Sequence, residues 1–157
     1  MSHSASFDLL LLVLAGVPIV LHDLRHHLIT NSSLRRFASA VLAIKIIESL
    51  LGFTTLIRVF QDAAWASALF LAIYWLSGSS LGAGDVKLAP ILAALAGLGS
   101  IRELMIWVCI IWAWGGACAF FSVLKWRTLH RRIAFAPALI AGTVTYLAMG
   151  ISSSLPQ

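Results

Sequence analysis

Residues 81–88 read Leu-Gly-Ala-Gly-Asp-Val-Lys-Leu and place the carboxylate of Asp85 directly before a long apolar run. That run is interrupted only by Lys87, so the stretch predicts the start of a membrane helix. An ionisable residue at the edge of a membrane helix is costly and is usually functional. Gly82 and Gly84 remove two side chains beside the acid, which permits unusual backbone angles and the close approach of another backbone. A flexible hinge before a helix is the structural alternative.

The composition is that of an integral membrane protein. Of the 157 residues, 61% are hydrophobic and the mean hydropathy is +0.96, whereas roughly half of the residues of a soluble domain are apolar. The length allows about six spans of roughly 20 residues. We therefore expect an all-α, polytopic membrane helical bundle of about six transmembrane helices, with residues 1–157 forming a single membrane-embedded domain.

Polar turns between the apolar segments give the expected spans. These lie at about residues 7–21, 37–60, 63–76, 86–98, 104–124 and 133–151. Lys45 and Glu48 fall inside the second span and share a helix face, which indicates either a polar site or, as we favour, a locally neutralised pair. Arg58, Gln61 and Asp62 are expected to mark the turn that follows.

The basic residues predict the orientation. No Lys or Arg precedes the first apolar segment, which argues for a retained first helix with its N-terminus outside. The formal charge of +5 is carried in the gaps between spans, a pattern of positive-inside topology and not of nucleic-acid binding. Eight Lys and Arg then lie inside (Arg25, Arg35, Arg36, Lys87, Lys125, Arg127, Arg131, Arg132), two lie outside (Arg58, Arg102), and Lys45 lies in a span.

This topology singles out two of the six acids. Asp8, Asp62 and Glu103 fall outside and Glu48 falls in mid-span, which leaves Asp23 and Asp85 at the inner ends of two spans. Two close carboxylates share a proton more easily than they both ionise. The charged member can take a proton from an attacking water while the protonated member polarises an amide carbonyl. The alternative is that Asp23 pairs with Arg25, and Asp85 with Lys87.

Two segments resemble the type IV prepilin peptidases, which are aspartic membrane peptidases. Residues 23–31, Asp-Leu-Arg-His-His-Leu-Ile-Thr-Asn, resemble that family's Asp-x-Arg segment ending in Ile-Pro-Asn. Residues 82–88 resemble its Gly-x-Gly-Asp-x-Lys element, and Phe-Ala-Pro-Ala at 135–138 is a weaker match to a family Phe-Gly-Pro. The similarity extends from about the first span to the sixth. Thr30 stands for the usual proline and Ala136 for a glycine.

The resemblance implies a function and a site. It implies that Asp23 and Asp85 are the catalytic pair and that a precursor is cut at the cytosolic face, after a glycine that ends a short basic leader. The expected supporting residues are Gly82, Gly84, Lys87, Arg25 and Asn31. The expected partners are prepilin or pseudopilin precursors and the lipid bilayer, and the expected location is the bacterial inner membrane with both termini outside.

No cofactor and no metal are expected. The chain lacks the paired Cys-x-x-Cys of the larger, N-methylating family members, so it resembles the short peptidase-only forms that serve tight-adherence pili. The histidines at 22, 26 and 27 raise a metal question, but histidines at a span end are more often interfacial. Two other functions are considered: a small proton-coupled transporter, and a non-catalytic membrane subunit of a pilus or secretion system.

Overall fold

The described part of the chain is entirely helical. The computed structural model describes residues 3–26, 29–78, 81–126 and 135–150, and these form helices and no strand. The helices are α1 (His3–His26), α2 (Asn31–Leu50), α3 (Leu56–Leu76), α4 (Ala83–Ala96), α5 (Ile101–Trp126) and α6 (Ala136–Ala148). The all-α prediction is confirmed. Contacts between helix ends show that successive helices run antiparallel: Lys45 near the end of α2 meets Asp8 near the start of α1, and Gly99 after α4 meets Asp62 near the start of α3. We call the end at which α1, α3 and α5 begin the upper end, and the end at which α2, α4 and α6 begin the lower end.

Helix α4 lies at the centre of the bundle. It packs against α2, α3 and α6, and Leu88, Leu92 and Leu95 are fully buried. The helix ends at Gly97, whose φ of 61° is a left-handed conformation that favours glycine. Most of α4 is buried from Leu88 onward, and its first turn, which carries Asp85, lies at the lower end.

The boundary between the second and third predicted spans was wrong. Helix α2 ends at Leu50, residues 51–55 form a turn with Gly52 at a φ of 77°, and α3 begins at Leu56. The apolar residues of this turn made it look like a continuous span. As a result, Arg58 and Asp62 lie in the first two turns of α3, and Glu48 lies in the last turn of α2 instead of in mid-span.

Among the described residues, three helices are long and apolar enough to cross a membrane. They contain the segments Phe7–Arg25, Leu56–Leu76 and Ile101–Ser122. Helices α4 and α6 have 14 and 13 residues, which at ~1.5 Å per residue is less than the ~30 Å hydrocarbon core. The chain is therefore a membrane-type helical bundle, while the number of six spans stays a prediction.

Some expectations fall on parts of the chain outside the described residues. We call residues 23–31 the first motif and residues 82–88 the second motif. The residues outside the description are most of the basic loop after α5, at 127–134, two residues of the first motif, at 27–28, and the polar tail at 151–157. The beginning of α6 is described: the ring of Phe135 lies 5.8 Å from that of Trp112 and anchors this helix against α5.

Candidate active site

The first turn of α4 folds the Asp85 carboxylate back onto the backbone before it. Gly82 is the N-cap residue of α4, and the Asp85 carboxylate accepts a hydrogen bond from the Gly82 N–H. An acid three residues after the N-cap commonly satisfies that otherwise unpaired donor. A Cβ added to Gly82 would lie 2.7 Å from Oδ2 of Asp85. A side chain at position 82 would therefore require the Asp85 carboxylate to move.

The glycine at 84 lies tightly against the first motif, residues 23–31. A Cβ added to Gly84 would lie 3.0 Å from the Cβ of Ile29, in the segment between α1 and α2. Neither Gly82 nor Gly84 has a positive φ, so the expectation of unusual backbone angles was wrong. The expected close approach of another backbone is not seen either: the atoms nearest an added Cβ belong to the side chains of Asp85 and Ile29.

A second contact joins the two motifs. Nζ of Lys87 donates a hydrogen bond of 3.2 Å to Oδ1 of Asn31, the first residue of α2. Thr30, the N-cap residue of α2, accepts a 3.3 Å hydrogen bond from the Ser33 N–H, as a proline could not. The two segments singled out from the sequence are therefore docked on each other at the lower end.

The two predicted catalytic acids are buried and interact. Asp23, in the last turn of α1, is 5% exposed and Asp85 is 7% exposed. Burial raises the pKa of Asp85, the Asp23 charge raises it further, and the Gly82 hydrogen bond only partly offsets them, so the Asp85 pKa is about 7 instead of 3.8. Lys87, the proposed alternative partner of Asp85, donates its hydrogen bond to Asn31. The arrangement favours a pair that holds one proton near neutral pH.

The remaining predicted residues lie at the margin of this site. Arg25 is exposed in the last turn of α1, and His22 is half-buried one turn earlier. Within the described ranges, no three His, Cys, Asp or Glu side chains come together in a way that could hold a metal ion. The described site is thus a carboxylate pair bordered by two glycines and the Lys87–Asn31 hydrogen bond.

A buried ion-pair cluster at the upper end was only half anticipated. Nζ of Lys45 lies 2.9 Å from Oε2 of Glu48, which confirms the predicted pair, and 2.8 Å from Oδ2 of Asp8 in α1. All three side chains are less than a tenth exposed. Asp8 was expected on the outer side and was not recognised as a partner, because its contact with Lys45 depends on how α1 packs on α2.

A second buried polar group at the upper end was not anticipated. The Gly99 N–H donates to both carboxylate oxygens of Asp62, at 3.2 and 3.3 Å. Glu103 is close enough to Asp62 to interact electrostatically. The buried hydroxyl of Tyr146 has no hydrogen-bond partner among the described residues. A signal was available in the sequence, since Asp62 and Glu103 were both assigned to the same side.

A groove opens beside the candidate site. It has a volume of about 560 Å³ and lies between α2 and α4, lined by Asn31, Leu34, Arg35, Ala38, Lys87 and Ile91. Asn31 and Lys87 therefore belong both to the contact between the motifs and to the groove wall. The volume is within the ~300–1,000 Å³ range of small-molecule sites.

Comparisons with family models, with curated proteins and with solved structures found no match for this chain.

Proposed function

We propose that this chain is a membrane aspartic endopeptidase that removes a short basic leader from prepilin-like precursors. The observation that carries the proposal is the interaction of two buried acids, Asp23 and Asp85, which come from segments far apart in the sequence. Perturbed acids of this kind are typical of catalytic sites. The resemblance of both segments to the prepilin peptidases supplies the substrate class.

The proposed chemistry needs one proton on the pair. In this mechanism we assign the proton to Asp85, whose pKa of about 7 lies near neutral pH, and the role of base to Asp23. Asp23 takes a proton from water as the water oxygen attacks the scissile carbonyl carbon, and Asp85 protonates the carbonyl oxygen. When the C–N bond breaks, Asp23 gives its proton to the leaving amine nitrogen, and one hydroxyl of the gem-diol returns its proton to Asp85 as the new carboxylic acid forms, so the pair is again singly protonated. No covalent intermediate is formed.

The proposed orientation follows from the basic residues. Arg25, Arg35 and Lys87 lie at the lower end with the acid pair, which the positive-inside rule assigns to the cytoplasmic face of a bacterial inner membrane. The scissile bond would then sit at that face, with the leader in the cytosol and the apolar helix of the precursor in the bilayer.

Co-expression with candidate precursors tests this function. The expected result is a gel shift that shows leader removal by the parent, and its loss with Asp23→Asn and with Asp85→Asn at unchanged membrane content. Glu48→Gln is the matched control, since it alters a buried acid of the upper end, and it should retain cleavage. Full cleavage by either aspartate variant would refute the assignment.

The same variants separate the other functions considered. A non-catalytic subunit predicts that no precursor is processed and that both aspartate variants still support pilus assembly. A proton-coupled transporter predicts acids near the bilayer midplane, whereas Asp23 and Asp85 lie at helix ends. Substrate-dependent proton uptake into vesicles, lost with Asp85→Asn, would favour that reading over the peptidase.

A further inference from the structure

All acidic side chains of this protein are buried, and this leaves a basic surface. Six Asp and Glu are present, and each is at most 7% exposed. The exposed charged residues in the described ranges are all positive: Arg25, Arg35, Arg36, Arg58, Lys87 and Arg102. Any ligand of an exposed, charged groove on this molecule is therefore expected to be an anion.

We propose that the groove between α2 and α4 is a binding site for an anionic phospholipid. Its phosphate lies between Arg35 and Lys87, and an acyl chain follows Leu34, Ala38 and Ile91. Basic pockets between membrane helices are known sites for anionic headgroups. Lipid binding at this groove does not depend on the proposed peptidase activity.

The polar mouth of the groove is suited to a phosphate. Asn31 is the first residue of α2, and Lys87 lies in the second turn of α4, so both helices direct the positive ends of their dipoles to the mouth. Arg35 lies one turn after Asn31 on the same face of α2. The mouth thus combines two cationic side chains with two helix N-termini.

An exposed apolar face of α2 continues beyond the groove for the length of one leaflet. Beyond Ala38, the same face of α2 continues with Leu42 and Ile46, which are 41% and 40% exposed. From Arg35 to Ile46 the helix rises about 16 Å, close to half of the ~30 Å hydrocarbon core. A phosphate held by Arg35 therefore leaves an acyl chain alongside an apolar face of matching length.

This geometry favours a lipid over a peptide as the occupant. The groove is formed by the walls of two helices, α2 and α4, and a bilayer around such a bundle supplies anionic lipid at high local concentration. A bound lipid would also touch Asn31 and Lys87, the pair that joins the two motifs. If the proposed function holds, anionic lipid should then raise peptidase activity, but the binding test needs no substrate.

The experiment compares two adjacent arginines. Both are exposed, but only Arg35 lines the groove. The guanidinium of Arg36 donates a 3.4 Å hydrogen bond to Oγ of Ser32 instead. Three purified proteins are compared: the parent, Arg35→Gln and Arg36→Gln. Each is titrated in detergent with phosphatidylglycerol or with phosphatidylcholine, and the bound lipid molecules are counted by native mass spectrometry. The parent and Arg36→Gln should prefer phosphatidylglycerol, and Arg35→Gln should lose about fivefold in affinity for it, the contribution of one basic residue at an anionic surface.

A second variant tests the apolar half. Ala38→Trp fills the groove and should reduce the number of tightly bound phosphatidylglycerol molecules by one, with an unchanged elution profile in size exclusion. Equal lipid preference of Arg35→Gln and the parent would overturn the proposal. Binding of glycerol phosphate, which lacks the acyl chains, with the same affinity as phosphatidylglycerol would also overturn it. So would displacement of the bound lipid by a precursor peptide at equimolar concentration, which would assign the groove to the substrate.

Discussion

Replacing Asp85 by asparagine should make the protein inactive and, at alkaline pH, more stable. The Asp85 pKa is about 7 in the fold and 3.8 without it, so between these pH values the folded state holds a proton that the unfolded state has released. Raising the pH across this window therefore removes stability from the parent. Because asparagine does not ionise, the stability of Asp85→Asn should not change with pH for this reason.

The size of the effect follows from the same two values. By linkage, the free energy of unfolding of the parent should fall by about 2.5 kcal/mol relative to that of Asp85→Asn between pH 5 and pH 8. For a chain of this size that corresponds to a relative change of roughly 5–10 °C in the unfolding midpoint. The melting curves of both proteins are recorded in one detergent at pH 5, 6, 7 and 8 by tryptophan fluorescence, and cleavage of a precursor peptide is measured in parallel.

Two results would refute the reasoning. A difference in melting temperature that is independent of pH would mean that Asp85 does not titrate near neutrality. Cleavage by Asp85→Asn at the parent rate would remove this residue from the chemistry. As a control, Asp23→Asn removes the second cause of the raised Asp85 pKa, so the pH at which Asp85 ionises should fall in that variant, though not to 3.8 because burial remains.

Three further predictions concern the same site and its surroundings. Cleavage by the parent should fall about tenfold from pH 6 to pH 8, because ionisation of Asp85 through its pKa of about 7 removes the shared proton; a flat profile in that range would contradict this. Gly84→Val should impair cleavage strongly, while Gly116→Val, at a helical glycine with nothing near its added Cβ, should not; equal rates in a peptide assay would contradict it. In a cysteine-free background, a cysteine at Ser32 should be shielded from an impermeant thiol reagent in intact cells and one at Phe53 should be labelled, whereas the reverse pattern would invert the topology.

The helices were predictable because their signal is local. Apolar segments and polar gaps gave the number and order of the helices. The boundary near Gly52 failed because Leu50, Leu51 and Phe53 are apolar although they end a helix and form a turn. Gly52 has nothing within 4 Å of an added Cβ, so its positive φ, rather than packing, explains its place. Hydropathy alone does not detect such a turn.

The candidate site was predictable in its residues but not in its contacts. Topology and resemblance both selected Asp23 and Asp85. The contact of Gly82 is local, with Asp85 in the same turn, whereas the tight contact of Gly84 is with Ile29, far away in the sequence, and it emerged only from tertiary structure. The partner of Lys87 was likewise expected to be Asp85 in the alternative interpretation, and the structure gives it Asn31.

The buried acids have different polar partners at the two ends of the bundle. At the upper end, Asp8 and Glu48 share the ammonium of Lys45, and Asp62 receives a backbone N–H. Such compensation is what burial of a carboxylate requires for stability. At the lower end, Asp85 accepts the Gly82 N–H, but it lies near the second carboxylate of Asp23, and the nearest lysine along its helix is bonded to Asn31 instead. Like charges also meet at the upper end, where Asp62 interacts with Glu103. The pair at the lower end differs because it joins the two segments that resemble the prepilin peptidases, and this is why the proposed function assigns catalysis to Asp23 and Asp85.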